Sequence, residues 1–560
     1  MMRAQTGTVP ADARIDRGRV ARVLLLAVPV AFLGVFFVYP VASIIGRGLT
    51  PGGTLDLSPI GAVVTDSQLR GVAWFTIWQA TVSTALTVLV ALPGAYVFAR
   101  YEFRGKRLVR AAVLVPFVLP TVVVGSAFLA LLGDGGTLGF LGLDQSLAAI
   151  LVAHVFFNYA VVVLIVGGLW AHLDPRQEDA ARVLGAGRGQ TFRSVTLPAL
   201  RPAIAAAAAI VFLFTFTSFG VILILGGPGY STLETEIYRQ TVQFLDLPQA
   251  AALSIVQLAA VFAVLLVAGR AQGRRALALS LRASAETSRR ARSPGERVVV
   301  GLNLALMALL LGGPILVLVE RSFDTAGGYS FGFYRALSEL RRTSTVFVPP
   351  IEAVRNSVVF ASIATVIALV IGALAAFAVA GPRRGARAAG GLDTLLLLPL
   401  GVSAVTIGFG FLIALDRPPF DLRASPALIP IAHALVAAPF VARVMIPVLR
   451  SIDEHLREAA AVLGASPGRV WREIDLPIVA RAVLVAAGFA FAISLGEFGA
   501  TIFIARPDYP TLPVVIFRLL GQPGALNFGA AMAASVILMA VTAVAILAIE
   551  RFRFADIGEF

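Results

Sequence analysis

The stretch Glu458-Ala459-Ala460-Ala461-Val462-Leu463-Gly464-Ala465, continuing through Trp471 to Ile474-Asp475-Leu476-Pro477, decides how this chain is read. It is polar and flanked by arginine, yet long apolar runs stand on either side of it. The arrangement occurs once more, 279 residues earlier, as Asp179-Ala180-Ala181-Arg182-Val183-Leu184-Gly185-Ala186 and then Val195-Thr196-Leu197-Pro198. Both copies read acid-Ala-Ala, three residues, Gly, nine residues, Val or Ile, one residue, Leu-Pro. The pattern predicts a short helix, a turn at the glycine, and a second helix opened by the proline. A polar surface element kept twice in register is expected to dock something.

Outward from these loops, composition sets the class. Of 560 residues, 58% are hydrophobic and 14% charged, where soluble domains carry about a quarter charged residues. Runs of about 20 mainly apolar residues mark membrane-spanning helices. They fall near 22–46, 71–99, 108–132, 146–171, 201–225 and 250–268, and again near 298–320, 355–380, 392–415, 426–449, 481–505 and 526–549. The expected fold is all-α, a polytopic membrane protein with twelve transmembrane helices, six in each half. Arg14, Arg17, Arg19 and Arg22 precede the first apolar run, as they would in a secretory signal. That run continues through Tyr39-Pro40 to about Ile45, beyond a signal core of about 7–15 residues, so it reads as the first span.

The formal net charge is +14, nearly all of its positive part arginine. The arginines are spread between apolar runs and form no single patch, which argues against a nucleic acid partner. Basic connections alternate with mixed or acidic ones. Arg100, Arg104, Lys106, Arg107 and Arg110 lie between spans two and three, Arg176, Arg182, Arg188 and Arg193 between four and five, and a further set from Arg270 to Arg297 between six and seven. The second half continues with Arg383, Arg384 and Arg387, then Arg450, Arg457, Arg469 and Arg472, then Arg551 and Arg553. Glu234, Glu236 and Asp246 stand in the opposite set. Retention of positive charge inside places both termini and both acid-Ala-Ala loops on the cytoplasmic side of a bacterial plasma (inner) membrane. The chain has no cysteine, which excludes disulfides and thiol chemistry, and only four histidines.

The halves are a repeat at the same offset of 279: His154 matches His433, Phe219-Gly220 matches Phe498-Gly499, and Arg239 matches Arg518. Six spans per half make the repeats parallel in the membrane. The division is a first domain over 1–269 with its loop at 177–198, a basic linker over 270–297, and a second domain over 298–560 with its loop at 456–477. The linker reads as a solvated tether near anionic lipid, with a regulatory or lipid-binding segment as the alternative.

Glu-Ala-Ala, three residues, Gly, nine residues, Ile, one residue, Leu-Pro is the mark of the permease subunits of bacterial ABC importers, and residues 458–477 match it at every fixed position. Residues 179–198 depart twice, with Asp179 for Glu and Val195 for Ile. The chain thus resembles two such permease domains fused in one. The resemblance implies that each loop forms a coupling helix seated in a groove of an ATP-hydrolysing subunit. The residues it singles out are Asp179, Ala180, Ala181, Gly185, Leu197 and Pro198, with Glu458, Ala459, Ala460, Gly464, Leu476 and Pro477. The acids would anchor to basic or backbone N–H groups of the partner, and each also suits the start of a helix. The glycines would let the chain turn, and the prolines would start the next span.

The same resemblance implies two ATP-binding cassette ATPase subunits, which carry the ATP and Mg, and an extracytoplasmic substrate-binding protein. No cofactor and no catalytic or metal site is expected on this chain. Its sole lysine, in Arg104-Gly105-Lys106-Arg107, lacks the setting of a phosphate-binding loop. Fused permeases of this type resemble those for thiamine and for ferric iron. The pieces Gly226-Gly227-Pro228-Gly229-Tyr230-Ser231-Thr232-Leu233-Glu234 and Tyr509-Pro510-Thr511-Leu512-Pro513 lean toward that branch.

For the translocation path the candidates are Glu497 and Phe498 with their repeat partners Ser218 and Phe219. An ionisable residue inside an apolar span is costly and therefore a functional candidate. Two roles fit Glu497: an outer gate that favours a cationic cargo, or a hydrogen bond between helices. His154 and His433 have no further ligands in their spans and read as packing residues rather than as a metal pair. No clustered catalytic set supports a membrane-embedded enzyme. The alternative to the importer is a twelve-span secondary transporter driven by an ion gradient. The patterned loops between spans four and five of each half favour the importer, whose two span-five helices are expected to face each other around a central path.

Overall fold

The structure, a computed structural model, describes residues 17–50, 53–273, 287–340, 347–380, 386–416, 418 and 420–553. Among them, regular structure is helical except for two short strand pairs, Tyr101–Glu102 with Arg289–Arg290 and Asp324–Thr325 with Gly328–Tyr329. Ten helices are long and apolar enough to cross a membrane: Leu25–Leu49, Ser67–Arg100, Leu147–His172, Arg188–Phe216, Leu247–Val267, Pro294–Arg321, Pro350–Ala380, Leu428–Ser451, Gly468–Gly496 and Ala525–Leu547. Counting each of two bent pairs as one span brings the number to twelve. The chain is a polytopic all-α membrane protein.

The bent pairs replace two spans expected to be straight. Over 108–132, Lys106–Val118 and Thr121–Leu132 meet at 100°, and over 392–415, Gly390–Pro399 and Ala404–Ala414 meet at 95°. Proline drives the first bend: Leu119 precedes Pro120 and is extended, as steric conflict with the proline ring requires. In the second, Ser403 takes an extended backbone and its hydroxyl caps the new helix by accepting the Thr406 N–H at 3.0 Å. The spans expected over 201–225 and 481–505 are also interrupted. Their helices stop at Phe216 and Gly496, and short helices Gly220–Leu225 and Thr501–Ile504 follow the break.

The prolines of the two Leu-Pro pairs do not open a new helix, contrary to expectation. A π turn, Phe192–Thr196 or Trp471–Asp475, runs without interruption into Leu197–Phe216 or Leu476–Gly496. The first and seventh spans repeat the device, with π turns Gly34–Val38 and Ala308–Gly312 followed two residues later by Pro40 and Pro314. Proline lacks the N–H for the carbonyl four residues back and its ring collides with that carbonyl. One extra residue in the preceding turn carries the carbonyl clear, so the helix continues.

Within each half the second and fourth spans pack along their length: Ser67–Arg100 on Leu147–His172, and Pro350–Ala380 on Leu428–Ser451. Small residues let the backbones approach, as where Gly167 meets the Ala95 backbone and Gly372 meets Val441. The first span of each half crosses over. Tyr39–Leu49 lies on Ala404–Ala414 of the second half, and Gly313–Arg321 lies on Thr121–Leu132 of the first. The halves are therefore interlocked. Of the linker over 270–297, 274–286 lies outside the described residues. Its last part docks on the first half, where Arg289–Arg290 pairs with Tyr101–Glu102 and the Arg289 guanidinium lies over the Tyr101 ring.

On the side away from the acid-Ala-Ala loops, each half folds a short helix back into the protein, Leu233–Val242 and Leu512–Leu520. Each hangs from the second span by an equivalent bond: the Leu233 N–H donates to Thr76 Oγ1 at 2.9 Å, and the Leu512 N–H donates to Ser357 Oγ at 2.8 Å. Glu234 and Glu236, read from the sequence as acids of an outer connection, are consequently fully buried.

Candidate functional site

The two loop helices, Arg176–Val183 and Glu454–Val462, are built alike. Each starts beside an aspartate whose carboxylate accepts a backbone N–H, Asp174 from Arg176 and Asp453 from His455, both at 3.0 Å. That N–H, and then the His455 ring, hold the Asp453 carboxyl below the ordinary carboxylate range. Each helix ends at a glycine in the left-handed region, Gly185 at φ 90° and Gly464 at φ 79°. Only glycine enters that region without strain, so the turn expected at both positions is present.

The tips of the loops are apolar and bare. Val183 and Leu184 are 87% and 88% exposed, and their repeat partners Val462 and Leu463 are 87% exposed each. Asp179, Ala180, Glu458 and Ala459 are exposed beside these tips, while Ala181 and Ala460 are partly covered. Asp179 pairs within its own helix with Arg182 at 3.1 Å. Leu197 and Pro198 are half-buried, and Leu476 and Pro477 are exposed.

Behind each tip, a polar clamp ties the loop helix to the span it feeds. In the first half Glu178 accepts from Thr196 Oγ1 at 2.9 Å and pairs with Arg100 at 3.1 Å. Arg100, at the end of the second span, also donates to the Leu173 carbonyl at 3.1 Å. In the second half the same two positions hold Arg457 and Asp475, whose guanidinium and carboxylate meet at 2.9 Å. The residues at these positions carry opposite chemistry, Glu with Thr against Arg with Asp, yet they join the same two elements. The sequence reading missed all of them. Applying the offset of 279 to pairs of polar residues, and not only to identities, would have found them.

At the far ends of the fifth and eleventh spans the two halves meet. Phe219 and Phe498, equivalent by repeat, stack at 5.4 Å between ring centroids and 26° between planes. Tyr238 lies against Phe219 at 5.7 Å, and its repeat partner Phe517 lies against Phe498 at 5.5 Å. Tyr238 also meets Phe517 at 6.4 Å and Phe503 at 5.8 Å. These buried rings close the space between the halves on the side away from the loops.

The breaks that carry Phe219 and Phe498 leave backbone groups that side chains satisfy. Glu497 accepts the Ala500 N–H at 2.7 Å and the Thr501 N–H at 3.0 Å, bonds the Thr501 hydroxyl, and lies 3.3 Å from His433 Nε2. Its carboxylate is thus turned into the protein as a cap for the short helix. Its contact with His433 is the one that crosses to another span. His433 also reaches Ser494 at 2.7 Å and Thr501 at 2.8 Å. In the first half His154 bridges Ser83 at 3.0 Å and Ser218 at 2.9 Å. Non-helical backbone at membrane depth is tolerated where protein groups complete it in this way.

Two interlocked, parallel sets of spans, an exposed helix-glycine-helix loop on each, and an aromatic closure between them define a class: the permease subunit of an ATP-driven importer. The comparisons place it within that class. Residues 91–275 match the family described as binding-protein-dependent transport system inner membrane component. The chain is similar to the thiamine transport system permease protein ThiP of Brucella abortus (strain 2308), 28% identical over 494 residues that cover 84% of this chain and 85% of that one. It is similar also to ThiP of Escherichia coli (strain K12), 26% identical over 476 residues that cover 82% and 85%. A crystal structure of a bacterial ABC transporter involved in import of the acidic polysaccharide alginate is similar at 19% identity and a TM-score of 0.40, over 47% of this chain and 98% of that one. The chain is a fused two-domain permease subunit of a binding-protein-dependent ABC importer, a transport subunit and not an enzyme. Membership of this class implies ATPase and substrate-binding partners and sets aside the ion-gradient alternative.

Proposed function

We propose that this chain forms the path by which thiamine, delivered by an extracytoplasmic binding protein, crosses the bacterial plasma membrane. Thiamine is preferred to ferric iron because relatives that align over more than four-fifths of this chain are thiamine permeases. The two domains, 1–269 and 298–560, each carry one ATPase subunit on the loop face, and that face is cytoplasmic, with both termini on the same side. The arginine pattern supports this orientation.

The observation that carries the coupling role is the pair of bare apolar tips at Val183-Leu184 and Val462-Leu463. Exposed apolar pairs kept at equivalent positions on two short helices fit a groove in each of two identical partners. Asp179 and Glu458 would flank the contact and meet donors of the ATPase. The stacked Phe219 and Phe498 rings would shut the outer end of the path.

The test is uptake of labelled thiamine and labelled ferric iron, side by side, in cells with and without the gene. Loss of thiamine uptake alone is the expected result. Loss of iron uptake alone would overturn the cargo and leave the permease. Replacing Val462 and Leu463 by serine should release one ATPase subunit from the purified complex, and full retention of both would overturn the docking role.

A further inference from the structure

Among the described residues three carboxylates lie buried in the membrane part of the protein, and two are fully engaged. Glu497 caps a helix, as described. Glu236 pairs with Arg239 at 3.2 Å and accepts from Gln240 at 2.7 Å. Glu234 is different. It is 0% exposed, and one oxygen, Oε1, bonds the Gln257 amide. The other, Oε2, is buried without a hydrogen-bond partner, and so is the Gln257 carbonyl oxygen. Each side chain therefore keeps one buried acceptor without a partner.

Glu234 forms no ion pair among the described residues. The Ser403 hydroxyl, at the bend of the second half, bonds its carboxyl, and the Leu233–Val242 helix packs on Ala404–Ala414 of that half. One helical turn from Glu234, on the same side of the helix, stands Tyr238. Its ring touches Phe219, Phe503 and Phe517 of the aromatic closure. Arg518 approaches Tyr238 and makes no pair with Glu234. The repeat partner of Glu234 is Pro513, so the site has one carboxylate and not two.

A carboxyl held out of water without a counter-charge keeps its proton, and gives it up when a cation meets it. Faces of aromatic rings attract the same charge, best when it is organic and weakly hydrated. We infer that Glu234, with Tyr238 and the closure rings, forms a site for a singly charged organic cation at the junction of the halves. Ser403 and Phe503 belong to one half and Glu234 and Tyr238 to the other, so separating the halves opens the site toward arriving cargo. The carboxylate thereby selects by charge at the outer end of the path. This rests on the permease reading and deepens it, because thiamine carries one quaternary nitrogen.

The test uses the full complex with its native ATPase and binding protein, in cells and in proteoliposomes. Glu234→Gln keeps the shape and the bond to Gln257 and removes only the charge. Uptake of thiamine should fall at least about tenfold while assembly and thermal stability of the complex hold. A purely structural role predicts the reverse, since glutamine satisfies the same pocket, and wild-type uptake by an assembled Glu234→Gln complex would overturn the site. Should that variant fail to assemble, the wild-type complex decides: choline, a second organic cation, should compete with thiamine, and neutral thiochrome should not. Equal competition by both would overturn selection by charge. If the wild type moves no thiamine, the cargo reading fails alone. Choline uptake lost in Glu234→Gln would then still support the site, and uptake of sulfate instead would overturn it.

Discussion

Arg457 is the residue whose removal best separates coupling from catalysis on the partner subunits. Its guanidinium meets Asp475 at 2.9 Å across the glycine turn and ties the Glu454–Val462 helix to the span that follows. A hydrogen bond between charged groups contributes about 1.5–3 kcal/mol when shielded. The Arg457 side chain is 39% exposed against 11% for Asp475, so solvent screening reduces the figure to about 1 kcal/mol. That corresponds to a factor of about five in the share of complexes whose loop helix is held firmly to its span. Arg457→Ala should therefore leave ATP hydrolysis by the assembled transporter near wild type while lowering solute moved per ATP severalfold. Exchanging the pair, Arg457→Asp with Asp475→Arg, should recover most of the loss. The assay is simultaneous phosphate release and uptake in proteoliposomes with saturating binding protein. An unchanged ratio in Arg457→Ala, or an exchange no better than either single change, refutes the clamp.

Three further outcomes follow from the geometry. Gly464→Ala meets open space for its new methyl group but a φ of 79°, so it should cost about 1–2 kcal/mol through backbone strain alone; the check is thermal stability together with retention of the ATPase on purification. Glu497→Gln places an amide donor against either the Ala500 or the Thr501 N–H, and should destabilise the subunit by about 1–3 kcal/mol, measured as a lower unfolding midpoint in detergent. Phe219→Ala with Phe498→Ala removes the stacked pair at the closure away from the loops, and should raise ATP-independent leakage of cargo from loaded vesicles, with unaltered leakage counting against the rings as a seal.

The number of spans and the parallel repeat were legible because both depend on run length and identity, which a single sequence carries. Bends were not, because hydropathy is blind to backbone direction: Pro120 sits within an apolar run and reads like any other member of it. Pro198 and Pro477 were read as helix starts by local preference, where a π turn lets the helix pass through. Glu234 and Glu236 were assigned to an exposed connection because acids between spans are usually solvated. Their burial follows from the return of Leu233–Val242 into the protein, a tertiary event. The clamps escaped because equivalent positions carry unlike residues, which identity matching passes over. By contrast Phe219 and Phe498 were found by repeat alone, and they proved to touch each other across the halves.

The continuous helix through the π turn also answers how a small motion at the loops reaches the far side. Arg188–Phe216 and Gly468–Gly496 each run for 29 residues, a length of about 43 Å at 1.5 Å per residue. Had the prolines opened new helices, a joint at Pro198 or Pro477 would absorb a pull from the loop before it entered the membrane. With the rod unbroken, a tilt of about 5° at the loop end displaces the other end by roughly 4 Å over that length. The Phe219 and Phe498 rings, at 5.4 Å, sit just past those far ends. Displacement of each rod by that amount in opposite senses is more than stacked rings tolerate, so the closure parts. The break in each span then has its own purpose: it lets the rings and the capped short helices follow the rods while the rest of each half stays packed.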